Sequence, residues 1–199
     1  MSVTLGSCRI RISYYFFSML AALCIADGGG IIICGIVAAS IHELGHLAAM
    51  LIFSHAAPEF VDITPFGLRI SLRGGVFLRR WMLVAIAGAV ANMLCCALFG
   101  CLCTLWYSPF LMRLAAANLC LAVVNLFPVE PLDGGQLVRA MLDRVLSCEQ
   151  AERASFIISV LFLLPLATAG LYVLIRSQGN FSLLLLSLWL LLSIVRKYI

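Results

Sequence analysis

Residues 31–53 read IIICGIVAASIHELGHLAAMLIF, a run that is apolar except for Ser40, His42, Glu43 and His46. About 20 apolar residues in a helix cross a bilayer, so the stretch predicts a membrane-spanning helix. Ionisable groups inside such a helix are costly and mark a function when they have a partner. His42 and His46 stand four apart, which puts them on one helix face a single turn apart. Two imidazole nitrogens so placed can reach one zinc ion at about 2.0–2.1 Å. Glu43, beside the first histidine, is placed to take a proton from water at that metal. The plainer alternative is a pair of histidines hydrogen-bonded within a helix bundle.

The rest of the chain agrees with a membrane setting. Of 199 residues, 64% are apolar and 11% charged, whereas a soluble domain carries about a quarter charged residues. That composition excludes an ordinary water-soluble enzyme, a nucleic-acid binder and a disordered regulator. Most of the nine cysteines lie in apolar runs without paired CxxC spacing, so they read as small hydrophobes. The expected fold is an all-α polytopic membrane domain over residues 1–199, with about six spans and neither a PDZ nor a CBS domain. The spans are placed at 12–26, 31–53, 81–107, 111–127, 155–175 and 181–195, and a short charged helix at 136–146. The opening run is read as a retained span, because Ala26-Asp27-Gly28 is a poor signal-peptide cleavage site.

Between the second and third spans, residues 59–64 and 68–73 alternate polar and apolar positions around Pro65-Phe66-Gly67, the period of strands. A small membrane-associated β-hairpin over 59–73 is expected there. Six spans put both termini on one side, which also holds eleven of the thirteen basic residues, all but Arg113 and Arg176. The positive-inside rule makes that side the cytoplasm.

A catalytic zinc needs a third protein ligand and an open position. Asp133, in Pro131-Leu-Asp-Gly-Gly135, is the best candidate, since proline and glycines around a carboxylate give a rigid loop with close backbone approach. It would otherwise cap a helix starting near Gly134. Asn125 either holds a substrate carbonyl or oxyanion or satisfies backbone carbonyls freed by Pro128. Asn92, four residues after Gly88, reads as a helix-packing amide. His55 is placed at the membrane interface, and Glu130, between two prolines, is expected to point to water.

Taken together, His42-Glu-Leu-Gly-His46 and Asn125-x-x-Pro128-x-x-Pro131-Leu-Asp133-Gly-Gly135 resemble the site-2 protease family of intramembrane zinc metalloproteases, peptidase family M50. Thr64-Pro-Phe-Gly67 is similar to the branch that holds the stage IV sporulation protease FB, which processes a membrane-tethered sigma-factor precursor. The resemblance spans about Ile36 to Leu142. It implies one zinc per chain on His42, His46 and Asp133, Glu43 as catalytic base and Asn125 at the active site. It also implies a membrane-tethered protein substrate, membrane regulatory proteins as partners and a bacterial cell membrane as location. The family commonly has Gly-Pro before its packing asparagine, where this chain has Gly88-Ala89.

Because a transmembrane helix hides its carbonyls in internal hydrogen bonds, a substrate must unwind locally. The hairpin, with Pro65, Phe66 and Gly67 at its turn, is a candidate for holding it by strand addition. Two rival readings follow from the same residues. A CAAX-type membrane protease needs a glutamate ligand on a later helix, and Glu59, Glu130, Glu149 and Glu152 all lie outside the expected spans. A metal transporter or non-cutting relative would need more polar spans, or the loss of a site residue.

Overall fold

The computed structural model describes residues 2–5, 8–12, 29–54, 58–64, 67–72, 78–177 and 179–198, with side chains over 29–53, 81–177 and 179–197. The helices among them are α1 (Ile31–Ser54), α2 (Leu78–Leu105), α3 (Pro109–Asn125), α4 (Asp133–Leu142), α5 (Cys148–Arg176) and α6 (Ser182–Tyr198). Each boundary has a local cause. Proline at the first position of α3 lacks only an N–H that a helix start leaves unused anyway. The same helix stops ahead of Pro128, which disfavours a helical residue before it. Ser147 caps α5 through a capping box with Gln150, its hydroxyl accepting from the Gln150 N–H and its own N–H donating to Oε1. This cap starts α5 at Cys148, seven residues before the span expected from 155. The exposed Arg153–Glu149 pair then falls one turn apart on the helix.

Among the described residues, three stretches are long and apolar enough to cross a bilayer: Ile31–Phe53, Trp81–Leu105 and Cys148–Arg176. Helices α3 and α6, at 17 residues each, are at the lower edge of spanning length. The expected 12–26 span lies outside the described residues from residue 13 onward, and Ile12 itself closes a strand.

The described strands number more than the expected hairpin. β1 (Ser2–Leu5), β2 (Cys8–Ile12), β3 (Pro58–Thr64) and β4 (Gly67–Leu72) form one sheet in the order β1-β2-β3-β4. β3 and β4 pair antiparallel, with Thr64 opposite Gly67 and a register irregularity between Pro58 and Phe60. β2 joins β3 in parallel. A two-stranded hairpin alone is marginal in water, and the alternating Cys8-Arg-Ile-Arg-Ile12 stretch supplies the further strand it needs. Pro65 and Phe66, at the expected turn, lie outside the described residues, as does His55.

The chain forms two compact units, Met1–Val123 and Val124–Ile199. In the first, α1 and α2 run antiparallel in close apposition. Met50 packs with Val84 and Trp81, Gly45 rests on Ala87 and Ala91, and Asn92 Nδ2 donates to the Ala38 carbonyl at 3.1 Å. A Cβ on Gly45 would stand 2.8 Å from the Ala87 carbonyl oxygen, so glycine sets how near the helices come. Small residues and interhelical hydrogen bonds hold helices together where lipid removes the hydrophobic drive. Arg113 Nη1 donates to the Gly29 carbonyl, tying the start of α3 to the start of α1.

In the second unit, Val129, Leu132, Leu163, Leu190 and Ile194 form a buried core. That core seats the 126–132 turn against antiparallel α5 and α6. Outward-facing Leu94, Leu161, Leu164 and Leu192 are exposed, as lipid-facing positions should be. The seven cysteines whose side chains are described are free thiols.

Candidate metal centre

The histidine pair continues the row of Cys34 and Ala38, one turn past Ala38, on the face of α1 turned to α2. His42 is 5% exposed, and its ring meets that of His46 edge-on, with centroids 4.7 Å apart. The two Nε2 atoms are 3.1 Å from each other. Two ligands at about 2.05 Å on a tetrahedral ion would be separated by about 3.1–3.4 Å, so the pair already has ligand spacing.

His46 Nδ1 lies 2.7 Å from the Val84 carbonyl oxygen. A carbonyl can only accept, so Nδ1 carries the proton and Nε2 of the neutral ring keeps its lone pair. This backbone anchor is the kind that fixes the tautomer and orientation of a metal-binding histidine. One turn beyond Val84 comes Gly88. A Cβ there would stand 2.5 Å from His46 Nε2 and 2.8 Å from His42 Nε2. The space before both nitrogens therefore exists because residue 88 has no side chain. Convergent imidazole nitrogens facing a cradle that a methyl would fill suit a zinc ion.

Glu43 follows on α1, partly exposed, and is an i, i+3 neighbour of His46 on the helix surface. It stands at the edge of the face that carries the two histidines.

In the second unit, Asn125 is the last residue of α3 and half-buried. The chain then turns tightly: Phe127 N–H donates to Val124 O at 3.1 Å and Leu132 N–H to Val129 O at 2.8 Å. The Glu130–Pro131 peptide is cis. Helix α4 begins at Asp133 itself, after Leu132 in the N-cap position without a side-chain cap bond. Asp133 is thus a first-turn residue, where a carboxylate suits the helix dipole, and the capping alternative is set aside. A Cβ on Gly134 would run into the Leu126 and Phe127 carbonyls, and one on Gly135 would stand 2.5 Å from Glu130 N. The two glycines let the start of α4 lie directly on the preceding turn.

Two features escape the sequence reading. Glu130 is 5% exposed rather than turned to water. Ser155 Oγ donates to its Oε1 at 3.0 Å, and Lys197 Nζ pairs with its Oε2. Ser155 and Ser159 being one turn apart on α5 is the only sequence hint of such a polar face. Gly88, read as a packing residue, is also the wall of the histidine cradle.

The site is thus a histidine pair, His42 buried and His46 half-buried, on an apolar helix long enough to cross a membrane. Residues 102–166 match the family model of Peptidase family M50, a segment that holds Asn125 and Asp133 but not the histidines. The chain is 28% identical over 198 residues to Stage IV sporulation protein FB of Bacillus subtilis (strain 168), covering 92% of this chain and 64% of that relative. It thus spans less than two thirds of that relative's length. The fold matches the solved Site-2 Protease from Methanocaldococcus jannaschii with a TM-score of 0.70 at 20% identity, over 98% of this chain and 94% of that one. The family similarity thus rests on residues 102–166, and the likeness to the solved structure is one of fold.

Proposed function

We propose that this protein is an intramembrane zinc endopeptidase that cuts a membrane-associated protein in or near its transmembrane segment. The observation that carries the reading is the His42–His46 pair, with Nε2 atoms 3.1 Å apart in a membrane helix and the cradle before them kept open by Gly88. His42, His46 and Asp133 would hold the ion, the aspartate supplying the oxygen donor that completes a two-histidine, one-carboxylate set. Zinc bound there supplies Lewis acidity toward a peptide carbonyl and toward water.

The protein's own groups do the rest. Glu43 takes the proton of the attacking water and returns it to the leaving amine. Asn125 donates a hydrogen bond to the carbonyl oxygen as it gains negative charge. β4 is the last strand of the sheet, so its outer edge is available to hold an unwound substrate by strand addition. Pro65, Phe66 and Gly67 would help to hold the substrate there. Eleven of thirteen basic residues fall on the side of the termini, which supports a cytoplasmic orientation for both termini and a cut toward the cytoplasmic end of the substrate. The resemblance carried by the Thr64–Gly67 segment favours a membrane-tethered sigma-factor precursor of a bacterial cell membrane as substrate.

The test is co-expression with such a tagged precursor, with the new terminus mapped by mass spectrometry. Cleavage within or beside the transmembrane segment, stopped by a zinc chelator, is expected. An intact precursor beside zinc-loaded enzyme would remove the sigma-factor assignment. A whole panel of membrane-tethered clients left intact would move the protein to the non-proteolytic metal-binding class.

A further inference from the structure

Glu130 holds a carboxylate among apolar side chains of the second unit, and burying such a charge is tolerated only when it is paired and hydrogen-bonded. Three elements supply the partners. Ser155 Oγ on α5 donates to Oε1 at 3.0 Å. Lys197 Nζ, near the end of α6, reaches Oε2. The backbone N–H of Glu130 donates to Ser159 Oγ, one turn along α5, at 3.1 Å. The network therefore grips both the side chain and the backbone of one residue in the 126–132 turn.

That turn is also the seat of α4. Gly135 lies on the Val129–Glu130 backbone so closely that a Cβ there would stand 2.5 Å from Glu130 N. Leu132 N–H returns to Val129 O at 2.8 Å, and Gln136 N–H to Leu132 O at 3.0 Å. Asp133 is the first residue of the helix so seated. Shifting Glu130 must shift residues 133–135, because no side chain fills the gap between them.

We infer that Glu130 is a positioning residue for Asp133: its buried link to Ser155 and Lys197 locks the 126–132 turn onto α5 and α6 and so fixes where the first carboxylate of α4 stands. This rests on the reading of Asp133 as a zinc ligand. Groups that orient metal ligands typically change metal affinity by about 10–100-fold when removed.

The experiment uses the purified full chain in detergent with cobalt(II) as a spectroscopic stand-in and zinc titrated against a chelator. Glu130→Gln keeps the shape and removes the charge. Lys197→Met removes the other end of the pair without touching the turn. Both are expected to weaken zinc binding by about tenfold or more and to alter the cobalt visible bands, with helicity retained. Loss of packing alone would lower the melting temperature without changing the bands of the folded fraction. If Asp133→Asn alters the bands while Glu130→Gln and Lys197→Met both match wild type, the positioning role is overturned and the ligand reading stands. If Asp133→Asn leaves the bands unchanged, the ligand reading fails and the inference fails with it. Should Glu130→Gln not fold, Lys197→Met decides alone.

Discussion

Replacing Glu43 by glutamine is expected to lower cleavage by about two to four orders of magnitude, the range that positioned general acid–base groups contribute, while zinc content stays at the wild-type level. Glutamine matches glutamate in size and still accepts a hydrogen bond, but it cannot hold a proton between water and the leaving amine. Glu43 occupies the helix position after His42 and is not one of the proposed ligands, so metal retention should be unaffected. Cleavage and zinc are measured on the same membranes at equal protein level. A Glu43→Gln variant that cuts at the wild-type rate would remove Glu43 from the chemistry. One that loses both zinc and cleavage would make it a ligand or a structural residue instead.

The second large effect is expected at Gly88. By backbone preference alone, alanine should favour helix α2 by about 1 kcal/mol. The geometry opposes this, since the new methyl would fall 2.5 Å from His46 Nε2 and 2.8 Å from His42 Nε2. Neither ring can yield cheaply. His46 would give up its 2.7 Å bond to Val84 O, and the two rings already meet edge to face. Moving α2 away instead would open the contact of Gly45 with Ala87 and Ala91. Gly88→Ala should therefore weaken zinc binding by at least the 10–100-fold seen when ligand orientation is lost, with cleavage falling in parallel. Gly100→Ala in the same helix is the control, because a Cβ there meets nothing within 4 Å. It should leave zinc and cleavage unchanged. Equal zinc affinity in wild type and Gly88→Ala, read by chelator competition, would refute the cradle.

Much of this architecture is legible in local sequence. Apolar length marks α1, α2 and most of α5, and i, i+4 spacing alone puts His42 and His46 on one face. Prolines mark both ends of α3. What stayed hidden depends on partners remote in the chain. Glu130 looks solvent-bound between its prolines, because Ser155, Ser159 and Lys197 lie 25 or more residues downstream. Gly88 reads as helix packing until α1 is brought against it. Residues 58–72 show strand alternation, but their parallel partner comes from residues 8–12, across the whole of α1. The early start of α5 is written in the Ser147-x-x-Gln150 capping box, which lies ahead of the apolar run from 155 that marks the span.

The central claim, that α1 carries a zinc site, is tested most directly by counting metal. Wild type, His42→Ala and His46→Ala are purified in detergent, checked for helicity by circular dichroism and assayed for zinc per chain. About one zinc per wild-type chain is expected, falling toward zero in both variants while helicity is kept. Folded wild type without zinc, or histidine variants that keep it, would contradict the account.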